Sequence, residues 1–228
     1  MSTREAPFRT ATATDDDAGR RTATIAWVIA AIVGIGGFVV LTLLLAMHQT
    51  IPFDDPLMAA AKPYAVDKFA WNVVSESANF PLVAIGLGMV AMLFLAHRRR
   101  EAIAVFFVLA AATAGSEGVK QLVHRPRPPG SDTVVPGVVY SYPSGHTLEV
   151  LTIFGILTLI TWRSGVDRWI KVAMLVFTIF FVAIVAVARV SINAHYPSDV
   201  LGGLLAGMGV IAVFALLTRP KASSDSGD

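Results

Sequence analysis

The stretch Tyr142–Trp162, YPSGHTLEVLTIFGILTLITW, joins two kinds of sequence that rarely meet. From Thr147 onward it is an apolar run suited to a bilayer, where a span takes about 20 predominantly apolar residues. In front of that run stand Ser144, Gly145 and His146. Hydrocarbon penalises the polar side chains of two of them, and a span requires none of the three. The reason for their presence lies in what surrounds the stretch.

The chain has 228 residues, 55% hydrophobic and only 15% charged, with a mean hydropathy of +0.66. A soluble domain of this size needs more charge to cover its surface, so the composition points to an integral membrane protein. The net charge of +2 is too small for a nucleic-acid footprint, which needs a clustered basic face. Cysteine is absent, which excludes disulfide scaffolds, thiolate metal sites and thiol nucleophiles.

Six apolar segments are expected to span: Ala23–Met47, Phe80–Ala96, Ala102–Leu122, Thr147–Trp162, Trp169–Ala188 and Val200–Leu217. The expected fold is therefore all-α, a six-helix transmembrane bundle over residues 22–218 with no separate soluble domain. Residues 1–21 read as a disordered polar tail and 219–228 as a second tail. The first apolar run is too long for a signal peptide. Between spans one and two, Phe53, Tyr64, Phe69 and Trp71 alternate with charges, a mixture suited to a helix lying in the interface.

Lysine and arginine give the orientation. Arg4, Arg9, Arg20, Arg21, Arg98, Arg99, Arg100, Arg163, Arg168, Lys171, Arg219 and Lys221 fall at one set of helix ends, twelve of the eighteen basic residues. That side, with both tails, is expected to be cytoplasmic, and the protein to be a multi-pass inner (plasma) membrane protein. Lys120, Arg125, Arg127 and Arg189 lie on the unfavoured outer side near His146 and His195. Cations kept there need a local reason.

Three segments supply it: KQLVHRPRPP from Lys120, YPSGHT from Tyr142, and ARVSINAHYPSD from Ala188. Far apart in sequence, they return to the same end of the bundle through the topology. Lys120, Arg127 and Arg189 offer three positive charges, and arginine forks match phosphate oxygens. Pro143 and Ser144 suit a helix opening, with serine as a cap, and a helix N-terminus favours an anion. Gly145 allows close backbone approach. A neutral histidine can attack phosphorus and a second can protonate the departing oxygen. Asp199, four residues after His195, is placed to accept the other ring N–H of that histidine. His195 thus reads as the nucleophile and His146 as the acid and base.

Each residue alone has an ordinary explanation: Ser144 as a cap, Asp199 as a first-turn partner of the helix dipole, Arg189 as an interfacial anchor. Their convergence on one face does not. His48 and His97 read as spectators, and His124 and Arg125 as support. Glu117 and Glu149 lie inside spans and read as structural hydrogen bonds between helices. A metal held by His146, His195 and Asp199 is disfavoured, because three neighbouring cations would repel it and already supply its charge. A transporter or channel would place its charges at mid-depth on broken helices.

Lys120 with Arg127-Pro128, Pro143-Ser144-Gly145-His146, and Arg189 with His195 and Asp199 together resemble the three-part signature of the type 2 phosphatidic acid phosphatase (PAP2) family, whose active site is shared with vanadium haloperoxidases. The resemblance covers spans three to six. It implies a metal-independent lipid phosphatase with no cofactor, acting through phosphohistidine. Lys120, Arg127, Ser144, Gly145 and Arg189 would bind phosphate, with His195 as nucleophile, His146 as acid and Asp199 as its orienting partner. The family usually has serine before the third-motif arginine, where this chain has Ala188. The implied partners are a lipid phosphate and membrane lipids, with no nucleic acid and the oligomeric state open. Compact bacterial members suggest undecaprenyl diphosphate first, then phosphatidylglycerol phosphate or phosphatidic acid.

Overall fold

The computed structural model describes residues 13–64, 80–131 and 140–219. These form α1 (Ala13–Ala46), α2 (Asp54–Ala61) running into a single 3₁₀ turn at Lys62–Tyr64, α3 (Phe80–Leu95), α4 (Arg99–Val123), α5 (Gly145–Arg163), α6 (Arg168–Ser191) and α7 (Pro197–Leu217). The only strand-like pairing among them is one isolated bridge between Pro126 and Tyr140. The expected all-α membrane bundle is what the chain forms. Among the described residues five helices are long and apolar enough to cross a bilayer, and α3 is a shorter apolar helix.

Two boundaries differ from the sequence reading. Helix α1 begins at Ala13, so the polar stretch before Arg21 is helical from there, while the tail up to residue 12 lies outside the described residues. Once a long apolar helix exists, adding a turn to its end requires no new nucleus, and Thr22 and Thr24 donate back to the carbonyls of Ala18 and Arg20. Only the start of the interfacial segment between spans one and two is described, as α2. Phe69 and Trp71 fall outside the described residues.

The bundle places α5 and α7 inside. Half of the α5 span and 44% of the α7 span are buried, against 17% of α6. Hence α5 tolerates polar residues that lipid would not: buried Thr158 shares a hydrogen bond with Thr178 of α6 at 2.7 Å. Met89, Val105, Ile156 and Phe214 join four helices in one apolar cluster. Val150, Ile153 and Val185 belong to a second. Outward faces carry exposed Ile32, Leu43, Phe107, Phe180 and Trp169, an apolar surface fit for lipid. Helices α1 and α7 pack backbone to backbone, since a Cβ on Gly34 would lie 2.6 Å from the Gly209 nitrogen.

Candidate active site

Helices α1, α4 and α6 finish at the end of the bundle where α5 and α7 start, and the links at that end carry the three motif segments. Backbone hydrogen bonds tie the segments to one another. Ser141 N–H donates to the Arg125 carbonyl at 2.9 Å, and Ser144 N–H donates to the Asp199 carbonyl at 3.0 Å. Arg127 Nη1 closes the triangle on the Ala194 carbonyl at 2.9 Å, and Asn193 Nδ2 donates to the Pro129 carbonyl. Three stretches remote in sequence thus form one small polar unit.

Its floor is the opening of α5. Ser144 is the N-cap residue by backbone, yet its side chain makes no capping bond; its Oγ pairs with Thr147 Oγ1 at 3.0 Å. This corrects the expectation of a serine cap. The first amides of a helix have no intrahelical partner, and here the serine hydroxyl does not consume one. Lys120 Nζ stands 3.7 Å from where a Cβ on Gly145 would be, so a side chain at that position would crowd the ammonium. Helix α7 lies directly behind: a Cβ on Gly203 would sit 2.6 Å from the Ser144 carbonyl oxygen. Glycine at 203 is what lets the two helix openings meet.

The charges converge on the histidines. Arg189, Lys120, Arg127 and the His195 ring are all electrostatic neighbours of His146. Lys120 and Arg189 are buried, 9% and 4% exposed. His146 Nε2 is buried and has no hydrogen-bond partner among the described residues. His195, in the link between α6 and α7, is 2% exposed. Burial above all, then the charges of Arg189 and Arg127, push its imidazole down to about 4 against the pull of Asp199. The ring is therefore neutral at pH 7, the state in which its nitrogen is a nucleophile.

The partner that orients His195 is not the expected one. Its Nδ1 donates to the Ser141 carbonyl at 2.7 Å, while Asp199 Oδ2 stands 3.6 Å away, too far for a good hydrogen bond. Asp199 is fully buried and engaged elsewhere. It accepts from Arg125 Nη1 at 2.5 Å and from the Tyr196 N–H at 2.8 Å, and so acts on the imidazole as a charge. The Ser141 bond leaves Nε2 of His195 as the reactive nitrogen.

Arg125 is more than support. Besides Asp199 it reaches Asp54 of α2 at 2.7 Å and Ser198 Oγ at 2.7 Å, and its guanidinium lies 4.0 Å from the centroid of the Tyr196 ring. Burial disfavours its charge, but Asp199 and Asp54 outweigh that and raise its pKa. Asp54, only 4% exposed, also accepts the Ser198 N–H at 2.8 Å and the Ser198 hydroxyl at 2.7 Å. Sequence reasoning missed Asp54 altogether. Its one signal was an acidic pair opening a short helix between spans one and two.

The remaining polar residues have structural places. Glu117 pairs with Lys120 of its own helix at 2.5 Å and its side chain is 58% exposed, so it does not join two helices as expected. Glu149 does reach another helix, bonding Thr113 of α4. His48, His97 and His124 all end helices in the left-handed conformation. Tyr142 stacks on Phe38 and shares a hydrogen bond with Thr42 of α1 at 3.0 Å. Among the described residues no group of three or more His, Asp or Glu is arranged to hold a metal ion. Three cations, the opening of α5 and two histidines gathered at one end of the bundle suit phosphoryl transfer, which depends on positioning and charge stabilisation.

The family profile described as PAP2 superfamily matches residues 101–222. The fold is similar to the crystal structure of a transmembrane PAP2 type phosphatidylglycerolphosphate phosphatase from Bacillus subtilis, with a TM-score of 0.63 and 18% identity over 80% of this chain and 94% of that one. No curated protein sequence matches the chain.

Proposed function

Because the chain belongs to the PAP2 superfamily, we propose that it is an integral-membrane phosphatase that hydrolyses a phosphomonoester or diphosphate of a lipid through a phosphohistidine. The observation that carries this reading is the shared end of Lys120, Arg127, Arg189, His146 and His195. The three cations and the first amides of α5 hold the phosphate oxygens. His195 Nε2 attacks phosphorus, the bond to the leaving oxygen breaks, and His146 gives that oxygen its proton. His146 then takes a proton from water, the hydroxide attacks phosphorus, and the P–N bond breaks to release phosphate and neutral His195. Asp199 stabilises the imidazolium character that develops, and Ser141 holds the ring. Three cations supply the charge that a metal would contribute, so the reaction proceeds without one.

Undecaprenyl diphosphate is the first substrate we assign for testing, with phosphatidylglycerol phosphate and phosphatidic acid next. The charge distribution supports a plasma-membrane location with the site on the extracytoplasmic face and both tails inside. Charges gathered at one end, not at mid-depth, weigh against a transporter. The test is phosphate release by purified protein in detergent containing EDTA, over those three lipids, with vanadate as inhibitor. Release that persists in EDTA and stops with vanadate supports the reading; loss in EDTA that magnesium restores overturns the metal-free mechanism. Sidedness is checked in the cysteine-free chain by an impermeant thiol reagent, which is expected to label Gln49→Cys in intact cells and Gly165→Cys only in opened ones.

A further inference from the structure

Helix α2 opens with two acids side by side, Asp54 and Asp55. An acid in a first turn needs no special account, because the helix dipole favours negative charge there. Asp55 is exposed and fits that account. Asp54 does not. It is buried, and it accepts from groups outside its own helix: Arg125 Nη2 at 2.7 Å, the Ser198 N–H at 2.8 Å and the Ser198 hydroxyl at 2.7 Å. A buried ion pair is a poor source of stability, so its use lies in the charge it brings.

That charge has a destination. Asp54 and Asp199 share one guanidinium, Nη2 of Arg125 on Asp54 and Nη1 on Asp199. Two carboxylates and one cation sum to a single negative charge, and its Asp199 end lies 3.6 Å from Nδ1 of His195. Arg125 and Asp199 alone would sum to zero. The other groups facing the ring are Arg189 from α6, Arg127 from the link after α4 and His146 from the opening of α5. As Nε2 bonds to phosphorus the ring becomes positive. Burial, Arg189 and Arg127 all oppose that charge, and Asp199 favours it.

We propose that Asp54 is a positioning residue for the phosphoryl transfer: by occupying half of the Arg125 guanidinium, it leaves Asp199 the net negative charge that the His195 imidazolium needs. This deepens the phosphatase reading and rests on it. The contact between α2 and α7 is thus part of the charge arrangement of the site as well as a brace.

Asp54→Asn keeps the shape and removes the charge. With phosphatidic acid it is expected to lower kcat about tenfold, the equivalent of about one pH unit of lost imidazolium stabilisation, with KM changed by about twofold or less. KM is spared because Arg125 and Ser198, its partners, are not the cations assigned to the phosphate. The acidic limb of kcat/KM is expected to move down, since the charged ring loses support. Asp55→Asn, the same loss of charge at the same helix end, is the control and is expected to move neither kcat nor the limb. Asp54→Asn combined with Arg125→Gln deletes the ion pair whole, leaves Asp199 as the net charge, and is expected to bring the limb back up. An unmoved limb in Asp54→Asn, an equal effect of Asp55→Asn, or no recovery in the double variant overturns the proposal. A second measurement needs no turnover: isotope-edited NMR of the histidine rings in detergent, with His195 assigned by its loss in His195→Ala. A His195 titration midpoint that falls in Asp54→Asn and recovers in the double variant supports the charge arrangement, even if no lipid phosphate is hydrolysed and the phosphatase reading falls. A midpoint that stays in place reduces Asp54 to a brace and overturns the assignment, even where kcat has dropped.

Discussion

Arginines gather at both ends of this bundle and do different work. At the end away from the site, Arg163 donates to Thr218 Oγ1 at 2.8 Å and to the Ala215 carbonyl at 3.1 Å, and Arg100 donates to the Leu217 carbonyl at 2.6 Å. These cations meet the last carbonyls of α7, where the helix dipole favours positive charge. At the site end, Arg125 is spent on two buried carboxylates, while Arg127 and Arg189 border two histidines. The same side chain closes a helix at one end and builds a charged chamber at the other. A count of basic residues therefore does not separate structure from chemistry; only their partners do.

The comparison breaks most easily at the histidine that the chamber surrounds. His195→Ala is expected to lower kcat by about 10⁴-fold or more, as for other removed nucleophiles, with the protein still extracted from membranes as a folded species. Near-normal phosphate release from this variant would sink the covalent mechanism. Next comes Arg125→Gln, which strands Asp54 and Asp199 together in a buried space. Removing one partner of a buried pair costs roughly 3–5 kcal/mol, to be read as a fall in the midpoint of thermal unfolding in detergent. An unchanged midpoint would mean the Arg125 contacts contribute nothing.

A finer test uses pH. His195 is held down to about 4, and Asp199 is what keeps it from going lower. The acidic limb that His195 gives to kcat/KM is expected near that pH and to move further down in Asp199→Asn. A limb that moves up would make Asp199 something other than a charge acting on the ring. The smallest effect belongs to the far end: Arg163→Gln is expected to cost about 1 kcal/mol or less and to leave kcat unchanged. A fall in kcat there would erase the distinction between the two ends.

Much of the site was legible because chemistry chose the residue types. Lys120, Arg127, Arg189 and His195 are cations or histidines at the end of the bundle that holds the smaller share of the basic residues. Arg125 stood among them, but its partner Asp54 is 71 positions away, and no periodicity links an acidic pair on α2 to the start of α7. The acceptor for His195 was illegible for another reason. It is the carbonyl of Ser141, and a backbone oxygen leaves no letter in the sequence. The spacing of His195 and Asp199, four apart, suggested a bond that a helix would favour. His195 lies in the link before α7, outside the helix, and the geometry goes elsewhere. The spans were readable by hydropathy alone, α3 included: the expected Phe80–Ala96 and the observed Phe80–Leu95 nearly coincide.

The family match begins at residue 101, whereas Ile35, Phe38, Thr42 and Asp54 all come before it. Every group assigned to bond making lies within the matched part. Thr42, which shares a hydrogen bond with Tyr142, and Asp54, which pins α2 against the opening of α7 through Ser198, lie outside it. Heritable variation can then retune how firmly the site is braced by rewriting the first sixty-odd residues, outside the matched part. Exchanging that segment between relatives would move the bracing as a module.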